Sequence, residues 1–185
     1  MTSHTPFSVI AFSGSLRHGS SNTGLVHLAA RLAPPELSFT IVDWVDQLPW
    51  MNPDLEADLP PVVQHWHDTV RAADALVIGM PEYNFGPTGL AKNALDWLTR
   101  PSDDRVINAK HVAFLSSAGR GGGAKSQDSM TVILGYLGAT IVEEPQVRLS
   151  SVADRFDAEG NTDDPEIIAA VAAKLTALVA ALTAR

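Results

Sequence analysis

The chain has 185 residues, a formal net charge of −8 and no cysteine. This length suits a single domain over residues 1–185, and the lack of cysteine excludes disulfides, thiol catalysis and cysteine-ligated zinc. The acidic balance, without a basic stripe, excludes a nucleic-acid partner. The first residues lack the pattern of a secretory signal, and no apolar stretch of about 18 residues is seen, so we expect a cytoplasmic protein without a membrane span.

Segments typical of strands alternate with segments typical of helices along the chain. Apolar or alternating runs predict strands at residues 7–12, 37–44, 75–80, 111–115 and 139–142. Helical apolar spacing predicts helices at residues 22–32, 62–73, 88–98, 124–137 and 163–184. Residues 46–61 carry four prolines and form a long irregular connection, which is typical of a functional or mobile loop.

Most of the predicted strands are continuous apolar runs, which indicates that both faces of the sheet are covered. Such strands alternating with helices predict an α/β fold, a three-layer sandwich around a five-stranded parallel sheet. In an open parallel sheet, ligands bind beyond the carboxyl ends of the strands. Three loops of unusual composition follow predicted strands directly, and we expect them to meet at that edge: residues 13–22, 81–89 and 116–123.

The first loop, S-G-S-L-R-H-G-S-S-N at residues 13–22, has the parts of a phosphate-binding site. Its glycines permit a tight turn with inward N–H groups, the following helix adds the positive end of its dipole, and Arg17 adds a charged fork of donors. The neutral donors are Ser15, Ser20, Ser21 and Asn22. The alternative is a capped helix with a solvated arginine. The spacing matches neither the dinucleotide-binding nor the P-loop pattern.

The second and third loops favour contact with a flat ring rich in heteroatoms. In the second loop, P-E-Y-N-F-G-P-T-G at residues 81–89, two prolines stiffen the chain and would display Tyr83 and Asn84 at the sheet edge. The alternative is a turn whose aromatic side chains pack inward. In the third loop, S-S-A-G-R-G-G-G at residues 116–123, consecutive glycines permit a close backbone approach to a ring, or simply make a flexible connection.

Two other patterns carry weaker signals. His65 and His67 lie two residues apart on a predicted helix and do not share a face, which argues against a metal site. Ser116 and Ser117 lack the G-x-S-x-G context of a hydrolase nucleophile. We therefore predict neither a metal ligand nor a catalytic nucleophile.

Taken together, three motifs resemble the NADPH-dependent FMN reductases. They are G-S-L-R-x-G-S-x-N at residues 14–22, P-E-Y-N at residues 81–84 and G-L-A-K-N-A-L-D-W at residues 89–97. The resemblance implies a flavodoxin-like fold with strand order 2-1-3-4-5, FMN as cofactor, and NADPH or NADH as reductant. Ala91 departs from the family, which more often has a larger aliphatic residue there.

The resemblance also implies a role for each loop. The FMN phosphate would be held by polar residues of the first loop, namely Ser15, Arg17, Ser20 and Asn22, with Ser21 as a further donor. One side of the isoalloxazine ring would be lined by the second loop, through Pro81, Glu82, Tyr83 and Asn84. The other side would be approached by the third loop, through Ser117, Gly119 and Gly122. Family members are commonly homodimers or homotetramers, with the segment at residues 92–97 near the interface.

Bound FMN would carry the chemistry, so no side chain is assigned a catalytic role. The resemblance implies that hydride passes from the nicotinamide to flavin N5 and then, in a ping-pong sequence, to a small acceptor such as a flavin, a quinone or an azo compound. Glu82 and Tyr83 are expected to position the ring rather than to transfer protons.

Two other functions stay open on the sequence alone. A flavodoxin-type single-electron carrier would have the same fold, but its phosphate loop is rich in threonine and lacks arginine. A protein that has lost its flavin and works by interaction is the other alternative, and the intact Arg17 and P-E-Y-N motif argue against it.

Overall fold

The structure is a computed structural model that describes residues 5–184. Its strands are β1 (Phe7–Ser13), β2 (Leu37–Ile41), β3 (Ala75–Gly79), β4 (Glu82–Tyr83), β5 (Gly86–Pro87), β6 (His111–Ala118), β7 (Thr140–Ile141) and β8 (Val147–Ser150). Its α-helices are α1 (Ser21–Arg31), α2 (Pro61–Arg71), α3 (Gly89–Trp97), α4 (Ala124–Tyr136) and α5 (Pro165–Thr183).

The main sheet is parallel and has the strand order β2-β1-β3-β6-β7, with β8 also paired to β6. This confirms the flavodoxin-like order. The fifth position of the sheet is divided between two strands, because β7 pairs with His111 and Val112 while β8 pairs with Leu115–Ala118. The fifth strand that we predicted at residues 139–142 corresponds to β7 alone, and β8 was not predicted.

Both faces of the sheet are covered, as the apolar strands indicate. Along β1, Val9 and Ala11 pack with α1 and α5, whereas Ile10 and Phe12 pack with α2, α3 and α4. The alternation follows from the period of two in a strand, and it gives a separate apolar core on each side of the sheet. These are the three layers of the predicted sandwich.

The structure corrects three features of the predicted elements. The second strand ends at Ile41 rather than at residue 44. The fourth predicted strand, now β6, continues to Ala118 because its last residues pair with β8. The short hairpin formed by β4 and β5 lies inside the second loop, which the sequence indicated only as a rigid turn.

The proline-rich connection at residues 46–61 is fastened to α3. The Asn93 side chain accepts a hydrogen bond from the Met51 amide at 2.8 Å, and the Trp97 indole donates to the Pro49 carbonyl at 2.7 Å. Both side chains are buried. Since both make contacts within the chain, they position this connection instead of forming an exposed surface.

Helix α5 corrects the expectation that no apolar segment is long enough to cross a membrane. By length and composition it is long enough, with a mean hydropathy of 1.8, and no other helix among residues 5–184 meets the same criterion. Its inner face, including Ile167, Val171 and Leu175, is buried in the core between the sheet and α1. One face of the helix is thus packed in the core, and 33% of its apolar segment is buried inside the structure.

Lys174 on α5 is an unusual member of that buried face. Its side chain is only 2% exposed, and its Nζ donates to the carbonyls of Val142 at 2.7 Å and Glu143 at 2.9 Å, just after β7. Burial lowers the pKa of Lys174 to about 8, because it disfavours the charged form of the amine.

This pKa makes stability depend on pH in a defined direction. Between pH 8 and the ordinary lysine pKa of about 10.4, the unfolded chain binds more protons than the folded chain, so stability rises with pH. We expect the free energy of unfolding of the wild type, relative to Lys174→Met, to increase from pH 7 to pH 10, by at most about 1.4 kcal/mol per pH unit. Urea unfolding measures this difference, and Lys125→Met on exposed α4 surface is the matched control. A constant difference over this range would contradict the assignment.

Candidate functional site

The three loops meet at the carboxyl edge of the sheet around a cleft of about 250 Å³. Ten residues indicated by the sequence line it: Ser15, Arg17, Ser20, Ser21, Asn22, Pro81, Glu82, Tyr83, Ser117 and Gly119. Asn84 and Gly122 do not line it. The cleft also includes three residues that the sequence analysis missed: Ala118, Ser151 and Ala153.

The turn at Gly14 depends on very close packing with the second loop and α3. A Cβ atom on Gly14 would lie 2.9 Å from both Ala91 Cβ and Thr88 Oγ1. The Thr88 hydroxyl also donates to the Gly14 carbonyl at 2.8 Å. The small residue at position 91, the departure noted in the sequence, therefore packs directly beneath the first loop.

The N-terminus of α1 opens at the cleft without a side-chain cap. Ser20 is the N-cap residue, and its hydroxyl makes no capping hydrogen bond. The amides of Ser21, Asn22 and Thr23 are first-turn groups, which have no partner within a helix. Of the capped-helix alternative, the structure has Ser20 at the N-cap position and an exposed Arg17, but it lacks the capping hydrogen bond. An anion in the cleft would meet uncapped amides, the positive end of the helix dipole and the hydroxyls of Ser20 and Ser21.

Arg17 supplies the positive side chain of the first loop. The loop is shaped by its own serines, since the Ser15 amide donates to Ser13 Oγ and the Arg17 amide donates to Ser15 Oγ, each at 3.2 Å. The Arg17 guanidinium is exposed, and its Nη1 donates to the neighbouring His18 carbonyl at 3.3 Å. Such a side chain, lining the cleft but held only by an adjacent carbonyl, suits a bidentate contact with a phosphate.

The Asn22 side chain, which the sequence suggested as a phosphate ligand, binds the main chain of Ser117. Its Nδ2 donates to the Ser117 carbonyl at 2.8 Å, and its Oδ1 accepts from the Ser117 amide at 3.0 Å. This pair of hydrogen bonds is buried and joins the first loop to the third. The amide group of Asn22 is therefore engaged by the main chain, which makes the residue a tie between two walls of the cleft.

Glu82 also makes structural contacts rather than pointing freely at a ligand. Its Oε2 accepts hydrogen bonds from the amides of Lys125 at 2.8 Å and Ser126 at 3.2 Å, in the first turn of α4. The N-cap position of α4 is Gly123, which has no side chain to cap the helix. Glu82 takes over this role from the second loop, where its negative charge also suits the helix dipole.

The rest of the second loop is a tight hairpin that displays aromatic side chains. Asn84 and Phe85 form its two-residue turn, both with positive φ (52° and 64°), between the paired residues Tyr83 and Gly86. Tyr83 is 58% exposed and Phe85 81% exposed. The alternative of aromatic side chains packed inward is wrong for both, and Asn84 lies at the tip of the turn.

The glycines of the third loop serve two different purposes. A Cβ on Gly119 would meet no atom within 4 Å, so this residue leaves open space at the cleft. Gly122 has φ +59°, and a Cβ there would lie 2.6 Å from the Arg148 carbonyl. Gly122 is thus required for close packing against β8. Gly119, which has no side chain, leaves the cleft open.

The chain after β8 completes the cleft. Because β8 pairs with the end of β6, with Ala118 opposite Ser150, the chain passes close to the third loop and brings Ser151 and Ala153 to the cleft wall. The short run V-R-L-S at residues 147–150 is the sequence signal that could have indicated this strand.

The histidines of α2 do not line the cleft, and both make contacts within the chain. His65 stacks on Trp44 with ring centroids 4.8 Å apart, and His67 Nε2 lies 2.8 Å from the Trp97 carbonyl, to which it donates. Burial lowers the pKa of His67, which keeps its ring neutral. Among residues 5–184, no group of three or more histidine, aspartate or glutamate residues is placed to hold a metal ion.

The cleft fits a phosphorylated flavin by the chemistry of its donors. One end combines uncapped helix amides, two serine hydroxyls and an arginine, which suits a phosphate dianion. The other end is formed by Pro81, Tyr83 and the open Gly119, where main-chain groups and apolar surface can meet a flat ring.

Comparison with known proteins agrees with this geometry. The family model of NADPH-dependent FMN reductases matches residues 7–154. The chain is 37% identical over 172 residues to an NAD(P)H-dependent FMN reductase of Pseudomonas aeruginosa, covering 92% of each protein. It is 37% identical over 172 residues to a probable NADPH:quinone oxidoreductase of Oryza sativa subsp. japonica, covering 90% of this chain and 84% of that protein.

Among solved structures, the chain is similar to FerB, a flavoenzyme NAD(P)H:(acceptor) oxidoreductase from Paracoccus denitrificans. The TM-score is 0.85 at 28% sequence identity, and the match covers 96% of this chain and 98% of that one. Family match, sequence relatives and fold agree with the motifs around the cleft. This chain belongs to the NADPH-dependent FMN reductase family and is an oxidoreductase that uses FMN and NAD(P)H.

Proposed function

We propose that this chain is a cytoplasmic, homo-oligomeric reductase that oxidises NADPH or NADH and reduces a quinone or a free flavin, with FMN held in the cleft by a single domain. One observation carries the proposal: the uncapped N-terminus of α1 opens, beside Arg17, into a cleft bounded by the second and third loops. The names of the relatives support quinones and flavins as acceptors.

In this proposal each loop has a binding task. Arg17, Ser20, Ser21 and the first-turn amides of α1 hold the phosphate, and Ser15 shapes the loop that presents Arg17. The main chain of Pro81–Tyr83 and of Ser117–Gly119 lines the ring. FMN, when bound, supplies the chemistry by accepting hydride from the nicotinamide and passing it to the acceptor.

The residues around the cleft also support a homo-oligomer. Four large apolar side chains are exposed in this part of the molecule: Leu16 at 69%, Trp50 at 75%, Tyr83 at 58% and Phe85 at 81%. Leu16 and Trp50 line one pocket of about 490 Å³ beside the first loop. Exposed apolar groups gathered in one region are typical of a surface that a partner covers.

The proposal is tested by the visible spectrum of the protein after it is mixed with FMN and freed of excess. We expect bound flavin that either nicotinamide nucleotide bleaches rapidly without oxygen, because the relatives are reductases and the rim at Tyr83 is exposed. The faster nucleotide identifies the preferred reductant. Bound flavin that neither nucleotide reduces would indicate an electron carrier, and a protein that retains no flavin would contradict the assignment of the cleft.

Arg17→Ala tests the phosphate end of the cleft. A charge-assisted hydrogen bond contributes about 1.5–3 kcal/mol, so the Kd for FMN should rise roughly 10- to 100-fold. The Kd for riboflavin, which lacks the phosphate, should change little. Titration of flavin fluorescence measures both, and Arg105→Ala, which removes an exposed arginine outside the cleft, is the control. An equal loss for both flavins would place Arg17 away from the phosphate.

We propose that Glu82 positions the second loop against α4 and does not act as a proton donor. Glu82→Ala removes the acceptor of two α4 amides and should lower the free energy of unfolding by about 1 kcal/mol while weakening FMN binding. Glu82→Gln keeps a carbonyl acceptor and should restore most of both quantities. Urea unfolding and flavin titration provide the measurements. A Gln variant as impaired as the Ala variant would show that the negative charge itself is needed.

A further inference from the structure

A turn in the C-terminal part of the chain packs against the N-terminal end of α1. We name residues 156–162 the tail turn. A Cβ on Gly24, in α1, would lie 1.6 Å from the Gly160 carbonyl oxygen, and a Cβ on Gly160 would lie 2.9 Å from the Ser20 carbonyl oxygen. The two main chains are therefore as close as glycines allow, and Gly160 also has φ +85°.

The tail turn makes a second contact of the same kind with the first loop. Gly19 has φ +60°, and a Cβ there would lie 2.2 Å from the Ala158 carbonyl oxygen. Gly19 and Ser20 are the residues that lead into the uncapped amides of α1. The tail turn thus contacts the first loop at Gly19 and α1 at Gly24, on either side of the helix N-terminus.

The tail turn is closed by hydrogen bonds among its own residues. Asp157 Oδ1 accepts from the amides of Glu159 at 3.0 Å and Asn161 at 2.7 Å, and the Asp157 amide donates to the Asn161 carbonyl at 2.8 Å. The hydrogen bond from the Asn161 amide lowers the pKa of Asp157, so its carboxylate stays ionised at neutral pH.

Ion pairs and a hydrogen bond fasten the tail turn at its ends. Arg155 Nε donates to Asp164 Oδ2 at 2.6 Å, and Arg155 Nη2 contacts Glu166 at 2.8 Å. Arg31, at the end of α1, donates to the Thr162 carbonyl at 3.2 Å. The chain that lines the cleft at Ser151 and Ala153 therefore continues into the tail turn, which packs along α1.

We propose that the tail turn is a positioning element of the phosphate site, which holds Gly19, Ser20 and the first turn of α1 in the geometry that binds the FMN phosphate. The inference rests on the proposed function, since it assigns how the phosphate end of that cleft is kept in place. No residue of the tail turn lines the cleft, so its effect is transmitted through the first loop.

Two variants disturb the tail turn by opposite means. Gly24→Ala adds a methyl group that the Gly160 carbonyl must move away from, whereas Asp157→Ala adds nothing and removes the acceptor that orders the turn. The matched control is Gly135→Ala in α4, where a Cβ would meet nothing within 4 Å. Both variants replace a helical glycine by alanine, and the contact with the tail turn is made only at Gly24.

The measurement is the Kd of each protein for FMN and for riboflavin. For Gly24→Ala and Asp157→Ala we expect the FMN value to rise about tenfold or more, as when one charge-assisted hydrogen bond is misaligned, and the riboflavin value by no more than about threefold. Gly135→Ala should change neither. In ligand-free protein, hydrogen exchange of the Gly24 amide, which donates to the Ser20 carbonyl at 2.9 Å, should be faster in Asp157→Ala than in the wild type.

The outcomes separate this inference from the proposed function. Wild-type protein that binds no FMN would overturn the proposed function and the inference with it. Wild-type binding together with unchanged variant Kd values, or with equal losses for FMN and riboflavin, would overturn the inference alone. If circular dichroism shows that Gly24→Ala does not fold, Asp157→Ala decides between these outcomes.

Discussion

The two hydrogen bonds between the Asn22 side chain and the Ser117 main chain hold the site together. They are buried, they span 95 positions of sequence, and they join the start of α1 to the end of β6. Each is of modest net strength, about 0.5–1.5 kcal/mol, but leaving such buried groups unpaired costs about 1–3 kcal/mol. This cost keeps the start of α1 and the end of β6 at a fixed distance, and therefore also the first and third loops.

Around this tie, the residues of the cleft divide between holding the structure and facing the ligand. Asn22 and Glu82 are polar, but their side chains satisfy main-chain groups of neighbouring elements. By contrast, the Arg17 guanidinium donates only to the adjacent His18 carbonyl, the first-turn amides of α1 have no side-chain cap, and both lie beside the cleft. An acidic protein can bind a phosphate here because local donors act at contact distance, whereas repulsion from distant charges is screened beyond about 8 Å.

The sequence predicts the layers of the fold and ten residues of the cleft, because strand periodicity and the three loop motifs are local signals. It does not reveal that Asn22 binds Ser117 or that Glu82 caps α4, since both contacts join elements far apart in sequence. It also misses β8, because the four-residue run V-R-L-S is only a weak strand signal. What a polar residue contacts depends on the assembled fold, so residue type and position alone could not separate structural ties from ligand contacts.

The tail turn lies beyond the segment that the family model matches, which ends at residue 154, yet it contacts the first turn of α1. Its closest contacts with the first loop and α1 are between carbonyl oxygens and glycines, and these contacts leave no motif of charged or polar residues in the sequence. A close approach of two main chains is nevertheless a strict constraint, because any Cβ at Gly24 would overlap the Gly160 carbonyl. The geometry of a phosphate site built from helix amides depends on where that helix begins. A brace that fixes the first turn of α1 therefore acts on the ligand without touching it.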